Sequence, residues 1–313
     1  MDSPPHVGPP IYARTFIDTL AGVFGAPRWS GNTLHWISTA GTLKARVQTF
    51  DADTVDGRRL AGVITLLQEL RLPSHEAAET LAARHNQEPG LGVAFVVEGS
   101  PGTVELISRM SFYGNTLDFH EKLGVTLAIA ALANLTTSLE HGAGHRLPPL
   151  PQRDQPSRWG IVELTRLVRQ MRRHGERPWT NGSSLVAKLN APDGWLSGAS
   201  DNGEPTLIVS AECRHSSLGN GLAVEASVRV DASQAQASSL VRNLNRVEAD
   251  SITGPPLLGA WGLARSDQRL VFRSFWPNLA HIPGLVDYIA TWHVERLEYA
   301  REALTQMLRL WLI

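Results

Sequence analysis

His141 and His145 stand four residues apart, the spacing that aims two imidazoles at one metal ion when both lie on a helix. They flank Gly142-Ala143-Gly144 and have no third ligand near, so the pattern reads as a fraying helix end. Cys213 and His215 alternate along an extended run and share one face, where a buried cysteine accounts for the pair without metal or nucleophile chemistry. Asp51-x-Asp53 followed by Asp56-Gly57 begins like a calcium loop, but the glycine falls one place late and Gly62 stands where a bidentate Glu belongs. A polar hairpin loop fits it better. Gly90-Leu91-Gly92 and Gly219-Asn220-Gly221 each precede a strand rather than a helix, so they read as turns and not as phosphate cradles. Gly-x-Ser-x-Gly, His-Glu-x-x-His and Cys-x-x-Cys do not occur. No catalytic, cofactor-binding or metal-ligating residue is assigned on these grounds, and a non-enzymatic role is expected.

Two surface features carry more information. Arg166, Arg169, Arg172, Arg173 and Arg177 form the one basic cluster, on a helix whose other side shows Ile161, Leu164, Val168 and Met171. A solvated face whose last turn favours the helix dipole explains it; the alternative is a patch for an acidic partner, centred on Arg166, Arg169 and Arg173. The last helix should start or kink at Pro283-Gly284 and run to Ile313, on the order of 40 Å at 1.5 Å per residue. Leu285, Ile289, Trp292, Leu297, Ala300, Leu304 and Met307 give it a stripe for its own sheet. Leu308, Leu310, Trp311, Leu312 and Ile313 leave its end apolar nearly all round. Together with Trp292 they form the candidate interface, whether against another part of the chain, a partner or a second copy.

Composition narrows the setting. The chain has 313 residues, 42% hydrophobic and 19% charged, which suits packed domains and allows two of ordinary size. Lys+Arg 29 against Asp+Glu 30 leaves no field to draw it to nucleic acid or an anionic membrane. No run reaches the roughly eighteen apolar residues a membrane span needs; the nearest, Leu123 to Leu139, carries Asn134 and several hydroxyl residues. One cysteine and a start, Met1-Asp2-Ser3-Pro4-Pro5, without the regions of a signal peptide suggest a cytoplasmic setting.

The elements that would position these residues follow from periodicity. A helix is expected over Tyr12 to Phe24, then strands at Thr33–Ser38, Leu43–Phe50 and Leu60–Leu70. A helix N-capped by Ser74 runs to about Asn86, followed by strands Leu91–Val97 and Val104–Phe112 and a long helix over Leu117–Glu140. Residues 141–157, with Pro148, Pro149, Pro151 and Pro156, read as a linker. The same order then returns: a helix from Arg158 to about His174, weak extended runs at Ser184–Leu196, strands Thr206–Arg214 and Leu222–Asp231, a helix Ser233–Val247, strands Leu257–Ala264 and Arg269–Phe275, and the closing helix. Ser111-Phe112-Tyr113-Gly114-Asn115 matches Ser274-Phe275-Trp276-Pro277-Asn278 at an offset of 163 residues, and Leu81–Asn86 matches Leu240–Asn245 at an offset of 159. The chain is thus expected to be α+β, two tandem α-β-β-β-α-β-β-α modules over residues 1–140 and 158–313, each a twisted antiparallel sheet packed by helices.

That element order, with a middle helix ending in Leu-x-x-x-x-Asn, a hairpin, an aromatic strand end and a long closing helix, resembles the type III secretion chaperone-like superfamily and its bacterial YbjN-like branch. The resemblance implies a role in holding or regulating other proteins and brings no catalytic residues or cofactor with it. The expected function is therefore protein binding, chaperone-like or regulatory, with a protein partner and possible homodimer formation. Two alternatives stay open: a small-molecule or enzymatic site in the cleft between modules, and a structural subunit of an assembly.

Overall fold

A computed structural model describes residues 28–30, 33–38, 41–49, 54–55, 58–100, 102–113, 154–173, 177–189, 205–216, 218–230, 233–251, 255–264 and 269–311. The helices expected over Tyr12–Phe24 and Leu117–Glu140, the pair His141 and His145, and most of the 141–157 linker lie outside them. Within them the chain is α+β, with two antiparallel sheets packed by helices.

The first sheet holds β1 (Arg28–Ser30), β2 (Thr33–Ser38), β3 (Gly41–Thr49), β4 (Thr54–Val55), β5 (Arg58–Arg71), β6 (Val93–Val96) and β7 (Thr103–Tyr113). Among the described residues its helix is α1 (His75–Gln87), between β5 and β6. Ser74 caps α1 as expected, its Oγ accepting from Ala77 N at 3.1 Å. The strand order is β1-β2-β3-β5-β7-β6, with the two-residue β4 folded back on β5. The second sheet holds β8 (Arg177–Thr180), β9 (Ser184–Lys188), β10 (Thr206–His215), β11 (Gly219–Arg229), β12 (Ala260–Leu263) and β13 (Arg269–Pro277). Its helices are α2 (Ile161–Arg173), α3 (Gln234–Asp250) and α4 (Leu285–Trp311). Its strand order is β8-β9-β10-β11-β13-β12. With β4 set aside, the two sheets have the same topology strand for strand in chain order, each with the last strand inserted beside the long central one.

Three short strands, β1, β4 and β8, went unseen in the sequence because none is long or apolar enough to show a period of two. β8 contains Pro178, which has no N–H to give a ladder and suits a sheet edge.

The sequence match Leu81–Asn86 with Leu240–Asn245 has a physical meaning. The Asn86 side-chain amide donates to Ala94 O at 2.9 Å and its Oδ1 accepts from Ala94 N at 2.8 Å. Asn245 does the same to Trp261 O and Trp261 N at 3.0 and 2.8 Å. In each sheet the C-terminal half of the middle helix is thereby bolted to the edge strand that follows it.

The second sheet carries the main core. Pro178, Ala187, Leu207, Ala226, Phe272 and Trp261 stand opposite one another in one row across all six strands, and every one is buried. α2 brings Leu164, Leu167, Val168 and Met171 to this core, and α4 brings Leu285, Ile289, Leu297 and Ala300. In the first sheet Ala78 and Ala82 of α1 pack on Leu70, Ala94, Val104 and Leu106. No helix among the described residues is long and apolar enough to cross a membrane.

Candidate functional site

The two sheets dovetail at a seam. Ahead of β6, Gly90 leaves its own sheet and its carbonyl accepts from Phe275 N of β13 at 3.0 Å. Ahead of β12, Leu257 does the reciprocal, exchanging two backbone hydrogen bonds with Arg109 of β7 at 3.1 and 2.8 Å. Val93, Leu257 and Ala260 fill the space between, at most 2% exposed. The close approach requires Gly262, since a Cβ there would lie 2.8 Å from Asn86 O of the other module.

A buried polar cluster extends from this seam. Arg109 Nη1 donates to Glu248 O at 2.7 Å and Ala249 O at 3.2 Å, so a strand of the first sheet caps the C-terminal turn of α3 in the second module. Glu248 is 5% exposed; its carboxylate accepts from Trp261 Nε1 and from Arg296 Nε, the latter at 2.6 Å. Arg296 also donates to Pro256 O at 2.9 Å and lies 4.0 Å over the Phe272 ring. Burial, and after it the neighbouring Arg296, bring Arg109 down to about 10 against the pull of Glu248.

Beside this cluster lies a hydroxyl–imidazole couple. His293 Nδ1 sits 2.7 Å from Ile289 O, which requires a proton on Nδ1 and leaves Nε2 to accept from Ser274 Oγ at 3.0 Å. Trp276 Nε1 in turn donates to Ser274 Oγ at 2.8 Å. A serine on a histidine is the core of nucleophilic catalysis, but Ser274 is fully buried, His293 is 2% exposed, and a backbone carbonyl stands where an orienting carboxylate would be. No substrate reaches the hydroxyl. The couple fills a core with satisfied polar groups, and burial, reinforced by Arg296, pushes His293 down to about 3. Its counterpart in the first sheet, Ser111, is buried with no partner for its Oγ among the described residues.

None of Arg109, Glu248, His293 and Arg296 was singled out from the sequence. A signal existed for the last two: Ile289, His293, Arg296 and Ala300 recur at helical spacing on the buried side of α4, so two polar residues interrupt an apolar stripe.

The residues singled out earlier divide between core and surface. Cys213 is half-buried against the core with its thiol pushed up by burial, and His215 accepts from Leu218 N through Nδ1 at 3.2 Å. A bulge between Ser210 and Cys213, with Glu212 at φ 59°, sets their direction. No cluster of three metal-ligating side chains occurs among the described residues. Trp292 is half-buried on α4. Leu308, Leu310 and Trp311 form its last turns, their side chains outside the described residues together with all of Leu312 and Ile313.

On α2, Arg166, Arg169 and Arg173 are all exposed. Arg166 Nε pairs with Asp287 at 2.9 Å, and its guanidinium lies against Gly284, whose φ of 85° turns the chain into α4. Burial pushes the Asp287 carboxyl up, and Arg166 opposes the shift. His281 Nε2 and Glu163 make a second contact, at 2.9 Å, between α2 and the segment ahead of α4. Ile161, expected on the apolar side of α2, is instead 62% exposed. The fully buried Trp159, edge-on to His281 at 4.8 Å, takes the core position ahead of the helix.

Comparison of the chain with family models, with curated proteins and with solved structures gave no match to any of them.

Proposed function

We propose that this chain is a non-enzymatic protein-binding protein, chaperone-like or adaptor in kind, whose second module presents its helical layer to a protein partner. The observation that carries this reading is an aromatic ladder that climbs from core to surface. Trp276 is buried; Trp292 stacks on it with ring centroids 5.9 Å apart and planes at 26°; Tyr288 leans on Trp292 at 6.2 Å and is 55% exposed. An exposed ring whose neighbours hold it in place loses little entropy on binding, which is what anchor residues of interfaces require. The resemblance of the element order to chaperone-like modules points the same way, as does the use of the buried polar groups to join the two sheets.

The reading is tested by placing a photo-crosslinking benzophenone side chain at Tyr288 in the full-length chain, in cells. Adducts of one defined mass are expected, and an adduct of twice the chain mass would identify the partner as a second copy. Absence of adducts, combined with thermal stabilisation of the pure protein by a small metabolite, would transfer the case to a ligand-binding or enzymatic role.

A further inference from the structure

The outward face of α2 is chemically one-sided. At about 100° per residue, the exposed positions of this helix fall in one sector roughly 140° wide. It holds Ile161, Val162, Thr165 and four arginines, with Leu164, Leu167, Val168 and Met171 buried opposite. No carboxylate lies in that sector. Arg166 is tethered to Asp287, whereas Arg169, Arg172 and Arg173 have no acidic partner among the described residues. Val162 and Ile161, at the other end, are 79% and 62% exposed. Capping of the helix dipole accounts for a cation in the last turn, which Arg172 and Arg173 supply, but not for Arg169 a turn earlier or for two bare aliphatic side chains.

We propose that this face is the docking surface for an acidic amphipathic segment of a partner protein. Its apolar residue would seat over Ile161 and Val162, and its carboxylates would run along Arg169, Arg172 and Arg173, about 10 to 16 Å further along the helix axis at 1.5 Å per residue. The inference rests on the protein-binding reading above and names the chemistry of the partner. Guanidinium forks match carboxylates in pairs and give such a contact direction as well as attraction. A phosphate backbone would use the arginines but offers nothing to the aliphatic pair, and the chain as a whole, at a net charge of −1, gives no field for nucleic acid.

The test uses the full chain and three fluorescent probes. They are a helical peptide with two leucines followed two turns later by three glutamates, the same peptide with glutamines, and an oligothymidylate of equal length. The glutamate peptide is expected to bind and to weaken as salt rises. The combined substitutions Arg169→Ala, Arg172→Ala and Arg173→Ala should weaken it about tenfold or more, and Val162→Ser should weaken it further without altering the salt slope. All four positions are exposed, so the variants should fold as the parent does, with thermal unfolding lowered by no more than the lost dipole capping at Arg172 and Arg173. Equal binding of the glutamine peptide, an unaffected triple variant, absence of peptide binding or preference for the oligonucleotide would each overturn the inference. If crosslinking at position 288 still yields a defined protein adduct in any of those cases, the protein-binding reading survives and only this surface assignment falls.

Discussion

His293 shows how much a single buried group can govern. It is locked as the Nδ1–H tautomer by Ile289 O, takes the Ser274 proton in a hydrogen bond at Nε2, and stacks edge-on to Phe272 at 5.4 Å. Burial disfavours the charged imidazole, and protonation would also put a second cation beside Arg296, so the folded protein holds its pKa at about 3 against 6.5 for an unperturbed imidazole. The sign of the linkage follows. Below pH 6.5 the unfolded chain takes up a proton that the folded chain refuses, so stability falls as pH drops through that value. The fall continues until the folded pKa is reached, at up to about 1.4 kcal/mol per pH unit for one group. His85, on the last turn of α1, is pushed down to about 4 by burial and should add to the slope. Denaturant unfolding of the parent and His293→Leu between pH 7 and 4.5 measures this. The variant is expected to be less stable at neutral pH but to lose stability less steeply on acidification, and parallel curves would contradict the assignment.

At the level of elements, agreement between sequence and structure depends on how local the cause is. Ser74 and Ser233 are recognisable as caps because a hydroxyl ahead of a helical run satisfies orphan N–H groups within three residues; Ser233 and Gln236 complete a capping box. The repeated Asn of Leu81–Asn86 and Leu240–Asn245 was visible as a match, yet its role was not, since the backbone it clamps lies 8 residues on in one module and 16 in the other. Ile161 misled for a related reason: periodicity places it at the rim of the apolar stripe, and only the packing of Trp159 decides which side of the rim it takes. The clamps make a quantitative prediction. Asn245→Ala leaves Trp261 N and O without partners in the core and should cost about 2 to 4 kcal/mol, because each buried backbone group stripped of its bond costs about 1 to 3 kcal/mol. Asn86 is only half-buried, so Asn86→Ala should cost less. Chemical denaturation of both variants reports the ranking, and an Asn86→Ala at least as damaging would rule out burial as the cause.

The whole molecule is held together by contacts that no single module contains. Each sheet lends the segment ahead of its edge strand to the other, Gly90 to β13 and Leu257 to β7, and Arg109 crosses the seam to cap α3. Nothing in the local pattern of residues 88–92 or 255–259 announces this exchange, because its partners lie more than a hundred residues away. The duplication of elements was legible, and the way the copies interlock was not. The consequence is thermodynamic: opening the seam uncaps α3, exposes Val93, Leu257 and Ala260, and strips Arg109 of its carbonyl partners at one stroke, so the two sheets should unfold as one unit. Scanning calorimetry of the full chain is expected to give a single transition whose van't Hoff and calorimetric enthalpies agree. Arg109→Met keeps the bulk of the side chain and removes the guanidinium. It forfeits two hydrogen bonds from a charged donor but also relieves repulsion from Arg296, for a net loss of about 1 to 3 kcal/mol. Gly262→Ala attacks the same seam from the other side by steric contact with Asn86 O. Both should lower the ratio of van't Hoff to calorimetric enthalpy as the halves begin to melt apart. Ser233→Ala, which removes a cap remote from the seam and costs about 1 kcal/mol, should lower the midpoint and leave that ratio intact. If all three variants merely shift one sharp transition, coupling between the sheets resides elsewhere than in the Arg109 seam.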